Sequence, residues 1–480
     1  MPHRLLSVAG PGAPELVAAL AELRREMGVP ADFPPDVLAE AEAAARSPEL
    51  PGEDATDIPF VTIDPVGARD LDQAFHLERL GPGYLVRYAI ADVSAFVRPG
   101  GAVEAEAHRR GQTLYAPDVI TLLHPPVIAN DAGSLLPDQE RPALVWTIEL
   151  DRHGESIGVD VRRAIVRSRA QLDYPSAQRA LASGTADEQL VLLREIGELR
   201  QALERERGGI TLPTPEQEVA RTADGWQLSY EAPLPIEGWN AQISLMTGMA
   251  AAELMLYAEV GILRTLPEPS ASAIRQMRRV ATGLGVHWPP RMSHDEFIRT
   301  LDPGKPAHAA LFAAATGLLR GAGYVAFDGG VPEQAVHAGV ASEYAHATAP
   351  LRRLVDRYVG EVCVALCADR DPPPWVRAAL PRIAALMNES ASRAHQYESA
   401  IVSIFEALLL ADRVGDTFDA VVIEVDDHGE GALVQLRAPA VIARCSGQVR
   451  LGAELRVRLV EADVMARRVA FVPIDEPPQS

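Results

Sequence analysis

The chain has 480 residues, 48% of them apolar, with three cysteines and a formal net charge of −21. Such a length suggests about two to four domains, and the charge excludes a protein that coats nucleic acid with its whole surface, while leaving room for a local basic channel inside an acidic shell. The sequence has neither an apolar run of about 18 residues nor a signal-peptide start, and its few cysteines suit a reducing compartment, so a cytoplasmic protein without a membrane partner is expected.

Residues 1–55 read as a small helical N-terminal domain. Apolar positions recur at helical spacing from Pro14 onward, and a second helix over 36–46 has Asp36 as a possible N-cap, with Phe33-Pro34-Pro35 between the two. A helix-turn-helix unit and a packing or capping element both fit. The next segment, Phe60-Val-Thr-Ile-Asp64-Pro-Val-Gly-Ala-Arg69-Asp70-Leu-Asp72-Gln73-Ala-Phe75, starts as a β-branched strand and turns at Pro65 and Gly67. Strands follow at 84–93 and 143–151, and Asp151-Arg-His-Gly154 reads as a hairpin turn. Helices are expected over 185–207, with Leu190, Leu193, Ile196, Leu199 and Leu203 on one side, and over 241–263, 351–367 and 382–414. Beyond 415 the pattern becomes short strands, at 418–425, 431–436, 455–460 and 468–472, with turns such as 426–429 between them. About five strands in so short a stretch fit a small OB-type β-barrel. The fold expected is α+β and multi-domain: helical 1–55, a large mixed domain over 56–414, a five-stranded barrel over 415–475 and a disordered tail at 476–480. Cys363, Cys367 and Cys445 read as small buried hydrophobes.

Asp70 and Asp72, two apart in extended chain, face the same way, and Asp64 can fold back beside them. Carboxylates converging next to apolar sequence repel one another unless a cation sits between them, and hard oxygen ligands suit Mg²⁺ or Mn²⁺. A solvated acidic loop is the alternative. Phosphodiester hydrolysis would use such a site to activate water and to offset developing charge. It also needs a grip on phosphate. In His346-Ala-Thr348-Ala-Pro350-Leu-Arg352-Arg353-Leu-Val-Asp356, Pro350 as a helix start and Thr348 as its N-cap would place Arg352 and Arg353 in the first turns, a phosphate-binding arrangement. A surface helix with ordinary charges fits equally.

The acidic stretch resembles the TID-x5-D-x-D-D-A signature of the ribonuclease II (RNB) exoribonucleases, with Gln73 in place of its last acid. His346–Asp356 looks like the T-[SA]-P-[IL]-R-[RK]-x-x-D block of that family. Ile90-Ala-Asp92-Val-Ser94 matches IADV[ST], and Arg109-Arg110-Gly111-x-x-x-Tyr115-x-Pro117 matches RRGTSVYLP. The resemblance covers roughly 56–475 and likens the C-terminal barrel to a ribosomal-S1-type domain, whose RNA surface would draw on Phe418 and Phe471. It implies a single-subunit, processive 3′→5′ exoribonuclease that hydrolyses single-stranded RNA to 5′-mononucleotides. Asp64, Asp70, Asp72 and Gln73 would then hold Mg²⁺ (or Mn²⁺), with Asp72 the acid most directly tied to the attacking water. Arg352 would contact the scissile phosphate and Asp356 would orient its helix. Tyr115, Arg109, Arg110, Arg353 and Glu398 would line the RNA path. The chain departs from the family at Gln73, which weakens the metal site in charge. It also departs at 264–270, which lacks the usual His before a proline-rich turn, and in an N-terminus too short for paired cold-shock barrels. A catalytically impaired RNA-binding relative is the alternative function.

Overall fold

A computed structural model describes residues 14–210, 216–222, 225–231, 233–302, 305–426, 431–439 and 441–474. Helices α1 (Pro14–Glu26) and α2 (Pro35–Arg46) sit on different parts of the body. Leu16, Leu20 and Leu23 of α1 enter a core shared with the last long helix and the C-terminal barrel. Val37, Ala41 and Ala44 of α2 pack against Val93, Phe96 and Val103 instead. Both helices therefore act as packing elements, because the apolar stripe of each is covered by a different neighbour.

Five strands close a barrel. They are β1 (Phe60–Asp64), β2 (Gln73–Leu80) and β3 (Gly83–Ala91), then, after helix α3 (Ala102–Arg110) and the short pair β4 (Leu114–Tyr115) and β5 (Ile120–Thr121), β6 (Glu140–Leu150) and β7 (Ser156–Asp173). Neighbours are antiparallel except at the seam, where β1 runs parallel to β7 with Asp64 opposite Asp173. The Asp151 carboxylate makes the β6–β7 turn by accepting the N–H groups of His153 (2.8 Å) and Glu155 (2.9 Å). Helices α4 (Tyr174–Ser183) and α5 (Glu188–Arg207) follow. Each is capped by an aspartate, Asp173 and Asp187, and each ends at a left-handed glycine, Gly184 and Gly208.

Beyond the pair β8 (Glu216–Thr222) and β9 (Gly225–Glu231), the apolar run expected as one helix over 241–263 is divided. Helix α6 (Pro235–Tyr257) stops, Glu259 takes a φ of 55°, and β10 (Val260–Thr265) begins. Helices α7 (Ala271–Gly283), α8 (His294–Arg299) and α9 (Pro306–Thr316) surround a core of their own that includes Met277, Trp288 and Phe297. Strand β11 (Gly323–Asp328) then pairs antiparallel with β10. A continuous apolar run has no period that separates buried helix from buried strand, so the remote partner β11 decides the outcome.

After the bridge strands β12 (Val336–His337) and β13 (Ser342–Glu343), helix α10 (Leu354–Cys367) packs into the main core with Tyr358 and Cys363 buried. Helix α11 (Pro374–Leu410) starts ahead of the expected 382 and carries Pro381 inside it. Pro374 suits a first helical position, and burial of Val376 and Leu380 outweighs the hydrogen bond Pro381 cannot donate. The first half of α11 belongs to the main core and its second half, with Tyr397, Ile401 and Phe405, to the C-terminal core. The expected five-stranded barrel is present: β14 (Thr417–Val425), β15 (Gly431–Leu436), β16 (Ile442–Ser446), β17 (Glu454–Asp463) and β18 (Arg468–Pro473), closed in the order β14-β15-β16-β18-β17. Most of the turn expected at 426–429 and the whole tail at 476–480 lie outside the described residues.

Candidate active site

The acidic stretch and the arginine loop, far apart in sequence, meet at one end of the first barrel. Asp64 ends β1, Asp70 and Asp72 lie in the extended link to β2, and Gln73 is the first residue of β2. Asp72 is buried and fastened to the loop. Its Oδ1 accepts the Leu351 N–H at 2.7 Å, and its Oδ2 lies 3.4 Å from Arg352 Nε. Desolvation and mutual repulsion dominate the electrostatics. Burial, with a contribution from the Asp70 charge, pushes Asp64 up to about 7. Burial also raises Asp70 and raises Asp72 well above the usual carboxylate range, Arg352 opposing in each case. Asp64 accepts no hydrogen bond among the described residues, and Tyr115 donates to Asp70 Oδ2 at 3.4 Å.

The helix expected from 351 begins only at Leu354, with Arg353 at its N-cap position, so Pro350 and Thr348 lie ahead of it in a turn. Side-chain and cross-strand bonds override the local helix signal. Asp356 accepts the Ala349 N–H at 2.7 Å, and the loop is tied to the segment after α3 through Thr113 N–H to Arg352 O and Leu354 N–H to Gly111 O. Arg352 thus projects from a braced turn ahead of the helix. Arg353 is turned inward, gripped by both oxygens of Asp356 at 2.8 and 2.9 Å.

The other expected RNA contacts divide. Arg110 is an interior tie. It is buried, bound to Glu106 and to the carbonyls of Leu122 and Asp32, and stacked 3.8 Å over Phe33. Arg109 shares Glu106 but is more than half exposed. Glu398 is half-buried on the second half of α11, next to Tyr397 of the C-terminal core. Phe418 and Phe471 do not form a nucleic-acid surface. Both are buried, packed edge to face at 5.9 Å, because inward strand positions of a small barrel must fill it.

Gln73 is held at both ends of its carboxamide. Nε2 donates to the Thr348 carbonyl at 2.5 Å, and Oε1 accepts from the Tyr88 hydroxyl at 2.7 Å. Tyr174 was missed by sequence reasoning. Its hydroxyl accepts from Asn240 Nδ2 at 3.0 Å, and burial, with the charge of Asp64 adding to it, makes that hydroxyl a weaker acid than usual. No local signal marks it, since an aromatic at a strand end ordinarily means core.

Among the described residues no three His, Cys, Asp or Glu side chains form a ready ligand group. The donor chemistry nevertheless fits a divalent cation held by few protein oxygens. Asp64 and Asp70 offer half-buried oxygens whose charged form needs a counter-charge, while Asp72 and Gln73 are already engaged.

Residues 53–368 match the RNB domain, and 416–474 match the RNase II-type exonuclease C-terminal S1 domain. The chain belongs to the RNB family. Escherichia coli ribonuclease R is 30% identical over 343 residues, which cover 66% of this chain and 41% of that protein. The chain thus spans less than half of that relative. Among solved structures, Mycoplasma genitalium RNase R in complex with ribose-methylated single-stranded RNA superposes with a TM-score of 0.85 at 17% identity, covering 96% of this chain and 78% of that one. Yeast Ssd1, a pseudonuclease, superposes with a TM-score of 0.70, also at 17% identity, over 93% of this chain and 57% of that one. The solved structures that share this fold therefore include a ribonuclease and a pseudonuclease.

Proposed function

We propose that the protein is a divalent-metal-dependent, processive 3′→5′ exoribonuclease that degrades single-stranded RNA to 5′-mononucleotides, with residues 56–414 as its catalytic domain and the C-terminal barrel as an RNA-binding element. The observation that carries this reading is the join of acid and arginine. Asp72 accepts the Leu351 N–H and stands 3.4 Å from Arg352, beside the raised carboxyls of Asp64 and Asp70. Asp64 and Asp70 would hold the cation, Mg²⁺ or Mn²⁺, which would make its bound water a stronger acid and offset charge on the phosphate. Asp72 orients the loop and keeps Arg352 aimed, and the Arg352 guanidinium meets the phosphate oxygens as charge builds on them. Tyr115, whose hydroxyl reaches Asp70, would stack on a base of the bound strand. No helix of the described residues is long and apolar enough to cross a membrane.

A second reading, an RNA-binding relative without catalysis, is favoured by Gln73, which brings no charge to the site and has both ends of its amide engaged. One assay separates the two. The purified chain is incubated with 5′-labelled single-stranded RNA in Mg²⁺, Mn²⁺ or EDTA, and the products are resolved on a gel. Very short labelled ends that accumulate only with metal, without a ladder, support the exonuclease. Intact RNA in every lane together with a binding shift supports the second reading.

A further inference from the structure

We propose that Gln73 is a positioning residue that anchors the arginine loop, and not a ligand of the metal; the inference rests on the reading above. The Thr348 carbonyl can only accept, so the amide nitrogen must face it, and the amide oxygen must face Tyr88. The Tyr88 hydroxyl has one proton, given to Gln73, so the Ser244 hydroxyl 2.7 Å away must donate to it in turn. A four-member chain therefore runs from α6 through β3 and β2 to the loop at 348. The residue before Gln73 grips the same loop at 351, through the Leu351 N–H. Two adjacent residues at the entry to β2 thus fix the loop at two points, and Arg352 follows directly after the second.

An aspartate at position 73 could not do this. It has no N–H to give, it is one methylene shorter, and its carboxylate would face the Thr348 carbonyl oxygen to oxygen. It would also leave that carbonyl without its donor in a region where Thr348 is buried. Gln73 therefore exchanges a charge at the acidic site for a rigid loop.

The test uses the full chain with Gln73→Met, which keeps length without hydrogen bonds, and Gln73→Asp. Three quantities are read: turnover set against RNA affinity in EDTA, Mn²⁺ binding by electron paramagnetic resonance, and hydrogen exchange of the 346–353 amides. For Gln73→Met we expect faster exchange in 346–353, turnover down about tenfold, and unchanged RNA affinity and Mn²⁺ binding, as loss of the one hydrogen bond that ties position 73 to the loop would give, the bond from Tyr88 being lost with it. Gln73→Asp is expected to loosen the same segment and not to exceed wild-type turnover. Weaker Mn²⁺ binding by Gln73→Met, tighter Mn²⁺ binding with higher turnover by Gln73→Asp, or unaltered exchange in 346–353 would each overturn the proposal. If the wild-type chain does not cut RNA, the exonuclease reading fails, while the exchange and Mn²⁺ measurements still decide the role of Gln73.

Discussion

Asp64 offers a direct measure of how strongly the acidic site is held against its own electrostatics. Burial, the Asp70 charge and the partial opposition of Arg352 leave its carboxyl at about 7, against an ordinary 3.8. A carboxyl that binds its proton more tightly in the folded state weakens the fold wherever the unfolded chain has already lost that proton. The penalty is absent below about pH 4, grows as pH rises and is complete above about pH 7. At about 1.4 kcal/mol per pH unit the interval corresponds to roughly 4 kcal/mol, and water reaching the half-buried group reduces it to about 2–4 kcal/mol. Asp64→Asn removes the penalty and leaves the shape intact. In urea unfolding with a chelator, followed by tryptophan fluorescence (Trp146 lies in the core of this barrel), the variant should be more stable than wild type by that amount at pH 8. At pH 4 the two should unfold alike. Added Mg²⁺ should raise wild-type stability at pH 8 and do little for the variant, and cleavage should be lost. Equal stability of the two proteins at pH 8 in chelator would refute the reasoning, because it would mean that Asp64 ionises without strain.

Arg352→Ala should lower turnover by about a hundredfold to a thousandfold, the cost of removing a preorganised charge from a developing anion; near-normal single-turnover rates would move the phosphate contact elsewhere. Arg110→Met should destabilise the protein by about 3 kcal/mol, since it removes the buried guanidinium's ties to Glu106, which keeps only Arg109, and to the Leu122 and Asp32 carbonyls, yet leave the salt dependence of RNA binding unaltered; a shallower salt slope would restore Arg110 to the RNA path. Phe471→Ala should cost about 3–5 kcal/mol through the cavity it leaves in the C-terminal barrel, and an RNA-affinity loss with unchanged thermal stability would contradict its interior position. Removal of 416–474 should yield an aggregating protein, because α1 and the second half of α11 share a core with that barrel; a soluble monomer by light scattering would show that they do not depend on it.

Much of this protein was legible in its residues because the signals were local and redundant. Asp151-Arg-His-Gly154 announces the hairpin, the leucine spacing over 190–203 marks a helix, and short strands separated by turns in the last segment announce a five-stranded barrel. Signals failed where two structures share one pattern. The run over 241–263 splits into helix and strand because only β11 tells them apart. Pro350 promised a helix start, yet Asp356 and the 111–113 segment hold the chain in a turn until Leu354. In the candidate site the identities of Asp64, Asp70, Asp72 and Arg352 were readable, and their pairings were not. Nothing near Arg110 in sequence foretells Asp32 and Phe33, and nothing near Gln73 foretells Thr348.

By itself, then, the sequence determined most helices and strands, the C-terminal barrel and the acids and arginine available for chemistry, because periodicity, turn residues and charge are properties of neighbouring residues; that the strands of the first domain close into a barrel was decided by their pairing. The tertiary structure alone decided which arginine faces the acidic site and which are interior ties, that the barrel aromatics are core, and that Gln73 faces a carbonyl 275 positions away. Those outcomes depend on which groups are desolvated together and which donors find acceptors. Such facts come into being only when distant segments are packed side by side.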